Sequence, residues 1–183
     1  TASLSAINIG LMPGENLISL PLIPDDAADG NLARLLEENE RVGDITEAIW
    51  FYDATLTNVG VEDRWKVFTP VGGDVDDLLD LDTGRGYWWI TDGDLYEYSD
   101  PLPGLSQETP QVENFVYTGV FLRRGAEAPP VYDVVSGWNL VGFHSEKRLT
   151  ANEYLSALGR GDSAGWSSLL RLDNFIDFPI AGQ

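Results

Sequence analysis

Several short segments of the chain alternate apolar and polar residues, and this period of two predicts strands. Such segments lie at residues 4–11, 48–54, 64–70 and 114–122. Two other stretches, 29–39 and 150–161, carry apolar residues at helical spacing, and Thr150 with Glu153 has the pattern of a helix capping box. Strands outnumber helices, so the pattern predicts a mainly β fold.

Part of this pattern occurs twice along the chain. A Gly-x-Asn-Leu turn leads into an apolar strand at residue 14 and again at residue 137, and helical spacing follows in both places. The matches then continue, with AIWFYDA at 48–54 corresponding to SLLRLDN at 168–174 and RWKVFTPVGG at 64–73 to NFIDFPIAG at 174–182. The sequence therefore predicts one complete and one truncated copy of a single module.

The predicted architecture is two related β-sandwich or small-barrel units, each with one short helix. The complete unit spans 1–102, a proline-rich linker with connecting strands spans 103–129, and the truncated unit spans 130–183. In the strand at 48–54, Phe51 corresponds to Arg171 of the second copy, whereas Trp50 and Tyr52 correspond to leucines. Alternation then predicts that Trp50 and Tyr52 point inward and that Phe51 points to solvent.

Beyond Pro70 the first copy has an acidic segment, 74–82, that predicts a short turn of helix. A β-hairpin is predicted next, with strands at 87–91 and 95–98 joined by Asp92-Gly93-Asp94. The second copy has no counterpart of this hairpin, so we expect an open sheet edge there. That edge could be completed by a longer chain, by the 114–122 segment, or by a strand from another subunit. Residues 4–11 are either such a donor or simply the first strand of the first copy.

The aligned residues resemble a repeat found in bacterial and archaeal cell-surface and secreted proteins. Its elements here are the opening Gly14 to Pro21, the strand Trp50 to Asp53, the strand Trp65 to Pro70, the closing Gly84 to Trp88 and the second opening Gly137 to Phe143. The resemblance implies an extracellular or cell-surface location, a role in envelope, adhesin-like or S-layer-like proteins, and no catalytic residues. Glu15 departs from the usual tryptophan, so we expect that this position is not deeply buried and that Trp138 in the second copy is partly exposed.

Charge narrows the choice of partners. The chain has 30 acidic and 11 basic residues, a formal net charge of -19, and no cysteine. Nucleic acid and anionic membranes are poor partners, because their binding relies on clustered Lys and Arg. No long apolar run predicts membrane insertion, and the first residues lack the features of a signal peptide. His144 is the one histidine and no Gly-x-Ser-x-Gly motif is present, so we expect no enzyme.

Two kinds of binding residue remain as candidates. Oxygen ligands for calcium cluster in two loops, at Asp25, Asp29 and Asn31 and at Asp74, Asp76 and Asp80. Neither loop has the complete spacing of a calcium loop, so helix capping and surface charge are the alternative explanation. An aromatic contact surface is predicted at Trp88, Trp89, Tyr96, Tyr98 and Trp138, with one of the adjacent tryptophans facing away from the core.

These features favour a non-catalytic structural protein of the cell exterior, such as a filament, pilus-like fibre, S-layer or virion surface component. Its partners would be copies of itself or other surface proteins. A calcium-assisted carbohydrate-binding or adhesion module, with a polysaccharide as partner, is the alternative, because an exposed aromatic ring can stack on a sugar.

Overall fold

The computed structural model describes residues 4–25, 30–71, 76–93, 96–99, 107–121, 134–142, 150 and 153. In this part of the chain the fold is mainly β, as the sequence predicts. The strands are β1 (Ser5–Leu11), β2 (Gly14–Ser19), β3 (Ile23–Pro24), β4 (Thr46–Tyr52), β5 (Trp65–Phe68), β6 (Gly86–Thr91), β7 (Tyr96–Ser99), β8 (Gln107–Pro110) and β9 (Glu113–Val120). The helices are α1 (Leu32–Glu38) and α2 (Glu40–Ile45), and Glu62–Arg64 form a turn of 3-10 helix.

Two antiparallel sheets contain most of the strands. Sheet A has the order β1-β9-β3, and sheet B has the order β2-β6-β4-β5. Residues of both sheets form one hydrophobic core, in which the rings of Trp89 on β6 and Phe115 on β9 lie 5.0 Å apart. The sheets thus face each other as in a β-sandwich. The strand β9 lies within the predicted connecting segment 103–129 and is the middle strand of sheet A.

Several buried polar groups in this core are paired. The indole N–H of Trp89 donates to the Thr46 hydroxyl at 2.9 Å, and that hydroxyl donates to the Val42 carbonyl at 2.6 Å. Tyr117 accepts the Leu22 N–H at 3.0 Å and donates to the Leu22 carbonyl at 3.2 Å. An unpaired polar group in such a place would be costly, so these side chains fix the strands around them.

Two helices, not one, follow β3. Asn31 caps α1, accepting the Arg34 N–H at 3.2 Å, and the predicted helix in this region is confirmed. The expectation of a single helix per unit is wrong for this region, because Asn39 leaves the helical conformation (φ −120, ψ 56) between α1 and α2. Its side chain instead holds β9, donating to the Val116 carbonyl and accepting the Val116 N–H, both at 2.9 Å.

The chain passes from sheet A to sheet B at a corner formed by residues 12–16. Asn16 accepts the Met12 N–H and donates to the Met12 and Gly14 carbonyls. Gly14 has a φ of 87°, a conformation that favours glycine. The corner lets one continuous segment contribute β1 to sheet A and β2 to sheet B.

The same corner occurs at residues 135–139. Asn139 accepts the Val135 N–H and donates to the Val135 and Gly137 carbonyls, and Gly137 has a φ of 105°. Asn139 thus makes the same local hydrogen bonds in its turn as Asn16 makes in the first. Farther along, Thr150 and Glu153 make the reciprocal bonds of the predicted capping box. Most of the other residues aligned in the second copy lie outside the described part of the chain.

The predicted hairpin between residues 87–91 and 95–98 is wrong. β6 pairs with β2 on one side and β4 on the other, so both of its edges are occupied, and β7 pairs with β8. The predicted acidic turn of helix is also wrong for residues 76–82. There the Asp76 and Asp77 carboxylates accept the N–H groups of Thr69 and Val67, which ties the segment to the strand β5 and its end.

The predicted facing of β4 is inverted. Ile49 and Phe51 are buried, whereas Trp50 and Tyr52 are half-buried on the opposite face. The Arg85 guanidinium lies 5.3 Å from the centre of the Phe51 ring. Phe51 is thus buried and its ring contacts the cation of Arg85 at the edge of the core. The alignment of Phe51 with Arg171 was therefore misleading as a sign of solvent exposure. Glu15 and Trp138 are exposed, as predicted.

Replacing Tyr117 by phenylalanine tests the buried hydroxyl. We expect Tyr117→Phe to lower the free energy of unfolding in urea by about 1–3 kcal/mol, because both polar groups of Leu22 lose their partner. Tyr52→Phe is the control, since that hydroxyl is half-buried and accepts only a 3.3 Å bond from Arg64. Equal losses in the two variants would contradict the assignment.

The same tyrosine predicts how stability depends on pH. Burial raises the pKa of Tyr117 above its ordinary value of 10.0, so the unfolded chain releases this proton first as the pH rises. The stability linked to this group is complete below pH 10.0 and is lost above it. We therefore expect the alkaline fall in unfolding free energy to be shallower in Tyr117→Phe than in the wild type. Parallel curves would show that Tyr117 is not involved.

Candidate functional site

The outer face of sheet B carries a row of large apolar side chains. Leu17, Trp88, Trp50 and Val67 stand directly opposite one another on successive strands, and all four are half-buried. We call these four residues the outer row. Side chains opposite one another in adjacent strands are close enough to touch, so the row forms one continuous apolar strip.

Two further aromatic residues lie beside the outer row, two positions along β4 and β5. The Tyr52 and Trp65 rings are 5.1 Å apart and tilted by 58°, and the Tyr52 hydroxyl accepts a 3.3 Å hydrogen bond from Arg64. Trp65 is exposed, with 37% of its surface accessible. A strip of flat rings with a hydrogen-bonding rim can contact either a protein surface or a sugar ring.

The structure separates the predicted aromatic residues. Trp88 lies on the outer face and Trp89 is fully buried, which confirms that one of the pair faces away from the core. Trp89 is therefore wrong as a contact-surface residue. Trp138 is 67% exposed at the second corner, and Tyr96 and Tyr98 lie in β7 with side chains outside the described part. Trp50, Tyr52 and Trp65 were not identified as surface residues from the sequence. Taking Ile49 and Phe51 as the buried residues of this alternating strand would have placed Trp50 and Tyr52 on the outer face.

A shallow cleft lies at one end of the outer face, where the second corner meets sheet B. Gly142 donates to the Gly84 carbonyl at 2.9 Å, and Val141 forms a β-bridge with Arg85. No carboxylate or histidine is among the described residues that line the cleft: Tyr52, Ala54, Thr55, Gly84, Arg85, Val134, Asn139, Leu140 and Val141. The described lining is therefore uncharged except for the Arg85 guanidinium.

The described calcium candidates serve the fold. Asp25 accepts a hydrogen bond from the Thr118 hydroxyl at 2.8 Å, and Asp76 accepts two from Thr69 at 2.9 Å. Asn31 caps α1 and forms a β-bridge with Asp80, to whose carboxylate its amide donates at 3.4 Å. Asp29 and Asp74 lie outside the described residues. These contacts are the capping and surface roles that were the alternative to calcium.

Within the described ranges no three His, Cys, Asp or Glu side chains are grouped so that they could hold a metal ion. None of the helices seen there has the length and apolar character needed to cross a bilayer. No protein family, curated protein or solved structure matches this chain.

Salt and chelation distinguish the two explanations of the acidic loops. We expect sodium chloride to raise the melting temperature, because it screens the self-repulsion of a chain with a net charge of -19. A chelator at constant ionic strength is expected to leave the melting temperature unchanged. A fall with chelator that calcium, but not sodium, reverses would instead establish a calcium site.

Proposed function

We propose that this chain is a non-catalytic structural protein of the cell exterior that assembles with copies of itself or with other surface proteins. The observation that supports this best is the corner that occurs twice with the same hydrogen bonds, at Asn16 and Asn139. A module used repeatedly within a chain suits a protein whose role is to extend a surface or a fibre. The exterior location rests on the sequence resemblance.

The contact that follows the second corner supports a stacking role. Residues 140–142 bond to residues 84–86, at the start of β6. A Cβ added to Gly142 would lie 2.1 Å from the Arg85 carbonyl oxygen, so the two backbones approach as closely as glycine allows. Each module of a stacked protein contacts its neighbour through such a defined junction.

Electron microscopy of the purified native protein tests the proposal. We expect regular polymers or sheets that grow with protein concentration and with salt, because salt screens the repulsion between acidic copies. Gly142→Ala should make these assemblies fewer or irregular, since the junction has no room for a methyl group. Gly93→Ala is the control, because an added Cβ there meets nothing within 4 Å. Protein that remains monomeric at every concentration and salt would contradict the proposal.

The outer row favours a second candidate function, carbohydrate binding in an adhesion module. Trp88 and Trp50 are opposite each other on adjacent strands and partly exposed, so a sugar ring could stack on either indole ring. Calcium would be required only if the acidic loops bind it. This candidate predicts retention on a polysaccharide matrix without polymer formation.

Substitution of Trp88 tests this second candidate. If the outer row binds sugar, Trp88→Ala should abolish retention on a polysaccharide matrix and Trp65→Ala should weaken it, because both rings lie on the same face. Trp138→Ala is the control, since Trp138 is exposed but lies at the second corner. Near-ultraviolet circular dichroism checks that each variant is folded. If all three variants are retained as well as the wild type, the outer row is excluded as the binding surface.

A further inference from the structure

The outer edge of sheet A is formed by β1, and its free backbone groups can be assigned. Val116 of β9 directs its N–H and carbonyl to Asn39, away from β1, so the Asn8–Val116 pair is not hydrogen-bonded. Alternation then makes Ile7 and Ile9 the residues that bond to β9. The N–H and carbonyl groups of Ala6, Asn8 and Gly10 point away from the sheet, and β9 is the one strand that pairs with β1 among those described.

Two other sheet edges in the described structure are covered by side chains and turns. On the far side of β9, the Asn39 amide satisfies both backbone groups of Val116, and Arg41 forms a 2.8 Å ion pair with Glu113. At the outer edge of sheet B, the Asp77 carboxylate accepts the Val67 N–H, and the N–H groups of Asp77 and Leu78 donate to the Val67 carbonyl. These contacts block the addition of a further strand at two places.

Within the described part of the chain, β1 lacks the usual protections of an exposed edge. Its seven residues contain no proline and no charge, and all seven pair with β9 without a bulge. The first charged residue of the chain is Glu15, in a protein with 30 acidic residues. Ala6, Asn8 and Gly10 are exposed on the outer face of sheet A. A regular, neutral and exposed edge of this kind is suited to adding another strand.

We propose that β1 is the surface through which two copies of this chain associate, by antiparallel pairing of β1 with β1 of the second copy. This inference rests on the proposed function and names the surface that would carry it. A two-fold axis at Asn8 places Asn8 opposite Asn8 of the second copy, and Ala6 opposite Gly10. Their outward N–H and carbonyl groups then bond across the axis, and the three strands of sheet A continue into those of the second copy.

Charge is the reason for choosing a second copy as the occupant. Two molecules of net charge -19 repel each other over most of their surfaces, and like charges placed opposite in a strand pair are destabilising. β1 brings no charge into the pair, so it offers an edge at which two acidic copies meet without opposed carboxylates. A partner protein selected by its positive charge would find no complementary charge on this strand.

Blocking the outward N–H of Asn8 tests the pairing. Asn8→Pro removes this donor but breaks no hydrogen bond to β9. The fold should therefore persist, which circular dichroism would verify. We expect its association in sedimentation velocity to weaken at least about tenfold, since each copy loses a hydrogen bond and gains a ring at the edge. Asn8→Ala is the control because it keeps the N–H and should associate like the wild type.

Disulfide trapping tests the geometry. The chain has no cysteine, so Asn8→Cys introduces a single thiol that lies at the proposed axis. Paired residues of antiparallel strands have Cα atoms about 5.5 Å apart, within the range for a disulfide. We expect mild oxidation to yield a covalent dimer of Asn8→Cys. Asn114→Cys, on the same face but one strand further in, should remain monomeric on a denaturing gel.

The outcomes separate this inference from the function on which it rests. Assembly that persists in Asn8→Pro overturns the β1 interface and leaves the assembly function standing. Loss of association without cross-linking of Asn8→Cys also overturns the two-fold pairing, because β1 would then meet a different strand or a different protein. Wild-type protein that never associates overturns both proposals. Association lost in Asn8→Pro, together with selective cross-linking at residue 8, supports the inference.

Discussion

The contact between Trp89 and Phe115 determines most of this structure. It joins an inner strand of sheet B to the central strand of sheet A, and the Thr46 hydroxyl holds the indole from the start of β4. Once Trp89 points into the core, alternation puts Tyr87 inside and Trp88 outside. The aromatic strip on the outer face is therefore a consequence of the residue buried beneath it, whatever partner the strip contacts.

Polar side chains, more than apolar ones, decide where the sheets end. Asn39, Asp76 and Asp77 lie where a neighbouring strand would otherwise pair. Asn39 bonds to the backbone of β9, and the two aspartates bond to the backbone of β5 and its end. Part of the acidic excess is therefore used in the architecture and part is solvated surface. Asn16 performs a related task at the corner, where it satisfies the backbone at the change of sheet.

Local features were predicted well from the sequence, and long-range pairing was not. The strands at 5–11 and 113–120, the helix capped by Asn31 and the capping box at Thr150 each depend on neighbouring residues, and all were foreseen. The hairpin after Thr91 failed because β6 pairs with strands some 40 and 70 residues away in the chain, which no local turn signal reveals. The acidic helix failed because carboxylates bonded to a distant strand end outweighed helical propensity.

Asn39 pairs with Val116 through both halves of its amide, one accepting and one donating. Among the acidic side chains that fill this sequence, none could replace it, because an ionised carboxylate has no donor for the Val116 carbonyl. Deamidation would make that exchange in the finished protein, converting the donor into a second acceptor. Deamidation at this one residue would then leave the Val116 carbonyl of β9 without the donor that it has in the unmodified protein.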